Sequence, residues 1–391
     1  MLYIVFLAVG HGVAGEWNGE RMSVSKVREG WTIVCALLLA IVACVTACGS
    51  AQSDRELSPF DDDLVRSQKI VKMLGDGYPE LTQLLESTDE PKTYAIPGLT
   101  SAINIHASGK DKGKVGMASD MVPQGVAVTE RYIIVSAYCE SKDFHSVLWV
   151  LDRKTRDYVK TVVLDGTDHV GGIAYDFDHH ILWVAATTDD GRAAAGCLSM
   201  DRIDAYDFDD NNACLDYERV YALEGIERTS FVALFENELY AGCFYPRKEG
   251  VLCCYALDED GYPTPVKDNT YDAIPEQTVS IPDEIQGMAF VQNIIVLSRS
   301  YGPHDARLMA YEYTDVYDLS DLTDNNCLYS GVLPPYLEQI CVDGDDLYLV
   351  FESCAERYRS RKGSLPIDCV LRLDVSDFIR THMPTASSSK S

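Results

Sequence analysis

The sequence predicts an all-β fold, a five-bladed β-propeller that follows a short helical segment and an export signal. Three observations carry that expectation. One unit returns along the chain. Its best-formed copy is Asp168-His169-Val170-Gly171-Gly172-Ile173-Ala174-Tyr175-Asp176, and the others begin at Val122-Pro123-Gln124-Gly125, Thr229-Ser230-Phe231, Ile285-Gln286-Gly287 and Leu337-Glu338-Gln339. Each copy opens a group of short β-rich runs separated by Gly- and Asp-rich turns, and four such strands make one propeller blade. Finally, Lys92-Thr93-Tyr94-Ala95-Ile96-Pro97 reads like Gln277-Thr278-Val279-Ser280-Ile281-Pro282, the fourth strand of the third unit. A strand from the N-terminal side is therefore expected to complete the last blade, hiding both sheet edges.

Taken in order, residues 1–48 read as a signal peptide. Lys26 and Arg28 precede an apolar run over 32–45, and small residues follow at Thr46-Ala47, the three parts of a secretory signal. The run is shorter than the roughly 20 residues a membrane span needs. Met22 is the start that best suits such a signal. Residues 49–91 read as a tether and short helices: 60–74 spaces Leu64, Ile70, Val71 and Leu74 behind Asp61-Asp62-Asp63 and stops at Gly75 and Gly77, and 79–86 gives a second turn or two. Residues 92–380 are the propeller and 381–391 a disordered tail.

Within the propeller the second runs fall at 132–138, 181–187, 238–245, 293–300 and 347–353. Third runs are read at 146–152, 202–207, 250–257, 307–313 and 369–374, and fourth runs at 158–164, 218–223, 277–281 and 329–333. Anchors are spaced by 47, 59, 56 and 52 residues from Gln124 through Gly171, Ser230 and Gln286 to Glu338. These exceed the about 40–45 residues of a compact propeller repeat, so several loops must be long. Six blades would follow if 102–106 belonged to a further sheet. Two long connections resemble each other, around Asp207-Phe208-Asp209-Asp210-Asn211-Asn212 and Asp324-Asn325-Asn326. Their acidic and amide residues suit turn chemistry better than a calcium loop, whose spacing they lack.

The net charge is −28, and the six charged residues before Cys48 cancel, so the body carries all of it. A surface this acidic excludes nucleic acid, which needs a basic face. With 47% hydrophobic residues and 23 tyrosines, the chain can bury a large core. Ten cysteines follow Cys48. An even number outside the cytoplasm permits disulfides; Cys139 and Cys354 hold matching places in blades expected to be neighbours and are the first pair to consider, free buried thiols being the alternative.

Strand alternation locates a site. The start of each first strand and the end of each second strand lie on one face of the disc, around the channel. This gathers Gln124, His169, Ser230, Gln286 and Glu338 with Tyr138, Thr187, Tyr245, Arg299, Tyr301 and Glu352, followed by Tyr358 and Arg359. Amides, aromatics and charges in a concave rim suit a polar ligand. Arg299 is expected to supply a charge there, or to neutralise Glu338 or Glu352. His169 is either a contact or a structural imidazole, and Glu338 with Glu352 could form an acid/base pair. The glycines at 171–172 are expected to let backbones approach closely at the axis. No G-x-S-x-G, H-E-x-x-H, P-loop or dinucleotide fingerprint occurs after residue 48, so no catalytic residue, metal or cofactor is assigned.

Two resemblances add to this reading. Val45-Thr46-Ala47-Cys48 resembles the lipobox of bacterial lipoproteins, which implies lipidation at Cys48 and an extracytoplasmic protein whose contact with the cell membrane is through that anchor. The strand pattern over about 92–375 is similar to secreted bacterial propellers of the broad YVTN/NHL/SMP-30-like kind, a likeness of fold that leaves activity open. The expected function is binding of a carbohydrate, peptide, polar metabolite or partner protein through the funnel. The alternatives are an extracellular hydrolase or lyase acting on glycans or lactones, and an envelope scaffold.

Overall fold

The computed structural model describes residues 59–86, 90–264, 271–315 and 319–374. The expected signal segment with Cys48, the expected tether before residue 59 and the expected C-terminal tail lie outside the described residues. By their contacts the described residues belong to one unit, Leu57–Ser391. No described helix is long and apolar enough to cross a membrane.

Five four-stranded antiparallel sheets surround one axis. Blade 1 comprises Met121–Val128, Tyr132–Cys139, Val147–Asp152 and Tyr158–Val163; blade 2, Ile173–Asp176, Ile181–Thr187, Ala193–Ser199 and Arg219–Leu223. Blade 3 comprises Phe231–Phe235, Glu238–Cys243, Gly250–Ala256 and Gln277–Ile281; blade 4, Ile285–Val291, Ile294–Arg299, Ala306–Glu312 and Tyr329–Leu333. Blade 5 joins Leu337–Asp343, Asp346–Phe351 and Cys369–Asp374 to Thr93–Ala95. Thr93 stands opposite Leu371 and Ala95 opposite Cys369, so the ring closes between the two ends of the domain as expected. Each inner sheet face is covered by a neighbouring blade. That explains runs such as Ile133-Ile134-Val135, buried on both sides, where a half-exposed strand would alternate.

Three features differ from the sequence reading. The third strand of blade 2 is Ala193–Ser199, and 202–207 falls in the short helix Met200–Ala205 and the turn after it. Ala193-Ala194-Ala195-Gly196 carries almost no β-propensity. It is extended because it lies between Trp183's strand and Val220's, with the Tyr217 ring over Gly196, where a Cβ would come within 2.6 Å of it. A parallel fifth strand, Asp272–Ala273, adds to the same blade. Residues 102–106 form a hairpin with Val115–Ala118, held to blade 1 by Asn104 Nδ2 donating to the His145 carbonyl at 2.8 Å; they start no sixth blade.

Helix α1 (Pro59–Leu74) and helix α2 (Pro79–Leu85) lay Ile70, Leu74, Leu81 and Leu85 against Leu333, Leu347, Leu371 and Leu373 of blades 4 and 5. The acidic connection after blade 2's third strand is turn chemistry: the Asp207 carboxylate accepts from the Asp209 and Asp210 amides and caps the short helix Phe208–Asn211. Cys139 and Cys354 are not joined, and all ten described cysteines are free thiols. Cys139 lies 3.3 Å from the Asp120 carboxylate and 3.2 Å from the Ser141 hydroxyl.

Candidate functional site

The first strands do not run straight to the axis. Those of blades 1, 4 and 5 are bulged, between Pro123 and Gly125, Ile285 and Gly287, and Leu337 and Ile340. A bulge adds a residue and turns a side chain out of the pleat; the residues turned here are Gln124, Gln286, Glu338 and Gln339. Blade 2 reaches the same end differently: Val170 takes a left-handed conformation (φ +45°) before the strand, setting His169 at the mouth. At the next residues the chain comes so near blade 3 that a Cβ on Gly171 would lie 2.2 Å from the Ser230 carbonyl oxygen. The glycines serve that approach.

Gln339 closes the channel. It is 1% exposed; its Oε1 accepts from the Val126 and Ile173 amides, both at 2.9 Å, and its Nε2 donates to the carbonyls of Ile173 (2.7 Å) and Val232 (3.1 Å). One side chain of blade 5 thus ties blades 1, 2 and 3. Blades 1 and 4 carry glycine at the matching place: a Cβ on Gly125 would lie 2.7 Å from Gln339 Oε1, and one on Gly287 2.8 Å from Gln339 Cα.

Above this plug opens a cavity of about 730 Å³ with lining from all five blades. Of the residues expected from alternation, Gln124, Tyr138, His169, Ser230, Gln286, Tyr301, Glu338 and Glu352 line it. The hairpin at 102–118 contributes nothing to it.

Glu338 and Glu352 form the floor, 4% and 8% exposed, and share a hydrogen bond. Gln286 Nε2 donates to Glu338 Oε1 at 3.3 Å and Gln124 Nε2 to Glu352 Oε2 at 3.4 Å. Burial raises both carboxyls. Glu338 moves well above the usual range, with the neighbouring Glu352 charge adding to the effect. Glu352 is pushed up to about 7, against bonds from Glu338, Tyr358 and Gln124 that favour its ionised form. The pair holds a proton between them near neutral pH. Among the described residues no cation stands within ion-pair distance of either.

The walls are aromatic. His169 stacks on Tyr138 with ring centroids 4.0 Å apart, and burial, with Lys142 adding, lowers its pKa to about 4, so the imidazole is neutral. The Tyr138 hydroxyl donates to Glu140 Oε2 at 2.9 Å. Tyr301 faces Phe244 at 5.9 Å and is 47% exposed. Tyr358, carried by the turn of helix Glu356–Arg359, stands over Tyr336 at 4.8 Å. Basic residues also line the cavity. Arg357 pairs with Glu140. Arg228 donates to the Phe244 carbonyl, and Arg361 donates to the Arg357 carbonyl at 3.1 Å and lies over the Tyr358 ring at 4.8 Å.

Four expected residues stand elsewhere, one of them Arg359, which ends the helix Glu356–Arg359 and does not line the cavity. The guanidinium of Arg299 is taken by Asp283, in the turn before its own blade, and by Asp324 at 3.5 Å; it neutralises these rather than Glu338 or Glu352. The Thr187 amide donates to Asp168 Oδ2 at 3.0 Å on the exposed end of its strand. The Tyr245 hydroxyl donates to Glu227 Oε2 at 2.5 Å, and Lys248 and Arg228 cover its ring. Arg228, Phe244, Pro303, His304, Arg357 and Arg361 line the cavity without having been read from the sequence. Arg228 sits next to the anchor Thr229-Ser230, which was the available signal; the others lie on loops whose course no periodicity records.

Away from the funnel, His145, Asp165 and Cys214 bring ligand-type atoms within 4.8 Å of one another. His145 Nδ1 is engaged there by the Gly166 amide at 3.0 Å, and burial and nearby carboxylates push the Cys214 thiol up to about 11, which disfavours the thiolate a soft metal needs.

No protein-family model matches the chain, and no curated protein matches it. Among solved structures it is similar to an oxidoreductase described as a glucose dehydrogenase from Thermus thermophilus, at 15% identity and a TM-score of 0.39, over 67% of this chain and 88% of that one. It is also similar to the WD40 repeats of RRP9 (9% identity, TM-score 0.38, 72% of this chain and 99% of that one). A chain of a nidogen/laminin complex matches at 13% identity and a TM-score of 0.35, over 67% and 85%. The five-bladed architecture rests on the strand pairing above.

Proposed function

We propose that the protein is a binding module of a bacterial cell surface, held to the membrane by lipid on Cys48, that takes a small polar ligand in its funnel. The secreted YVTN/NHL/SMP-30-like likeness suits the same setting. One observation carries the reading: a cavity of about 730 Å³, lined from all five blades, has a buried pair of carboxyls as its floor and aromatic rings as its walls. Few convergent polar groups in a preformed, partly apolar concavity are what fix a small ligand's orientation. With −28 net charge the ligand is not a nucleic acid.

The test is binding of the full-length protein to glycan, peptide and metabolite arrays, beside Gln124→Ala and Glu352→Gln. At least one class of probe is expected to bind and to lose about tenfold or more in affinity in both variants; unchanged binding sinks the reading. Mass spectrometry of the mature N-terminal peptide should show a lipid-modified Cys48, and an unmodified peptide retaining residues before Cys48 removes the anchor.

A further inference from the structure

The chemistry of the funnel is divided by charge. Its floor is the Glu338–Glu352 pair, negative and with no ion-pair partner among the described residues. Of the three guanidinium groups in the lining, Arg357 is the one with a carboxylate within ion-pair distance among the described residues, Glu140; the Arg228 charge acts on Glu227 and the Arg361 charge on Glu352 from farther off. Arg228 and Arg361 are held in place through backbone carbonyls and tyrosine rings, contacts that orient a guanidinium while leaving it without a close ion pair among the described residues. Between floor and mouth stand the neutral His169–Tyr138 stack and Tyr358, whose hydroxyl reaches Glu352.

An unpaired buried carboxylate is costly. The incoming group that best offsets that cost is a compact cation able to donate several hydrogen bonds, and an ammonium beside aromatic faces gains cation–π attraction as well. Unpaired guanidinium groups, in turn, match a carboxylate in fork geometry. A neutral sugar uses neither feature.

Resting on the polar-ligand reading above, we propose that the funnel selects a small zwitterion, an amino acid or short peptide with both ends free, placing its ammonium at Glu338–Glu352 and its carboxylate at Arg228 or Arg361. The two ends of the ligand meet the two signs of charge that, among the described residues, stand in the cavity without a close ion pair.

Calorimetric titration of the full-length protein tests this with alanine, dialanine and trialanine, against N-acetyl-trialanine, trialanine amide and maltotriose. At least one free zwitterion is expected to bind. Blocking either end should weaken it about tenfold or more, the loss of one charge-assisted contact. Glu352→Gln should weaken the free zwitterion by more than it weakens N-acetyl-trialanine and so remove the advantage of the free amine, and Arg228→Ala with Arg361→Ala should remove the advantage of the free carboxylate. Glu338→Gln serves as a second floor variant if Glu352→Gln fails to fold, as judged by near-ultraviolet circular dichroism. Blocked forms binding as tightly as free ones overturn the zwitterion and leave the polar-ligand reading standing, as does binding of maltotriose alone. Failure of every probe overturns the zwitterion, and the wider arrays then decide whether the funnel binds at all.

Discussion

At the scale of single residues, the carboxyl pair makes stability depend on pH in an unusual direction. Glu352 titrates at about 7 in the fold against 4.5 for a free glutamate, chiefly because it is buried, and burial also raises Glu338 well above the usual carboxylate range. Between pH 4.5 and about 7 the folded chain holds a proton on Glu352 that the unfolded chain has released. Stability therefore falls as pH rises from about 4.5 to 7, the reverse of a salt-bridged carboxylate. Glu352→Gln keeps the shape and the contact to Gln124 but no longer has to ionise. The variant is expected to match the wild type near pH 5 and to exceed it at pH 8 by about 1 kcal/mol or more, read as urea midpoints at both pH values. A variant less stable than wild type at pH 8 would mean that the second charge stabilises the fold. His169 works the other way: its low pKa keeps it neutral, so it stacks on Tyr138 without bringing a charge into the floor.

At the scale of elements, the bulged first strands do two jobs, sending Gln124, Gln286 and Glu338 into the cavity and Gln339 across the channel. Gln339→Ala leaves the Val126 and Ile173 amides and the Ile173 and Val232 carbonyls without this partner at the axis. At about 1–3 kcal/mol for a buried unpaired group, a loss of about 3 kcal/mol or more is expected in chemical denaturation. A loss below about 1 kcal/mol would mean that the channel admits water to replace the amide. The same strands show how far the sequence could be read. The Gly-x-Ala repeat after Gln124 and Gln286 declares a first strand, and alternation then places eight side chains around one cavity. Gln339 escaped notice because it stands where sister units carry glycine, and only the packed ring makes a long amide fit a glycine's place. Arg299 was legible as a charge at a strand end, but its partners Asp283 and Asp324 come from a turn and a long connection that no repeat positions. Ala193–Ser199 was missed for a similar reason: its strand character comes from neighbours, not from its own side chains.

At the scale of the whole molecule, a ring is as strong as its closure, and only three residue pairs join Thr93–Ala95 to Cys369–Asp374. Arg156, at a turn of blade 1, reinforces the joint. Its Nη2 donates to the Pro91 carbonyl at 3.0 Å, its Nη1 donates to the Thr93 carbonyl, and its guanidinium lies 4.0 Å from the Tyr94 ring centre. Behind it Asp63 of α1, nearly fully buried, sits 3.9 Å away, and burial raises its carboxyl to about 6 despite the attraction of Arg156 and Arg66. Ser67 Oγ accepts from the Lys92 amide at 2.9 Å and lies 3.1 Å from Thr93 Oγ1. Helix, closing strand, last blade and first blade therefore meet at one guanidinium. Arg156→Ala removes both carbonyl bonds and leaves Asp63 with Arg66 alone, so a loss of about 3–5 kcal/mol is expected, typical of breaking a buried pair from one side. The loss should be local before it is global. Hydrogen exchange should speed first at Thr93–Ala95 and in α1, while the inner strands of blades 2 and 3 keep exchanging only through full unfolding. Asp63→Asn, by removing the stranded charge, should recover part of the stability in the double variant, most of all above pH 6, where Asp63 would otherwise ionise. Uniform acceleration across all five blades would show instead that closure and core open together, and that Arg156 is one contact among many.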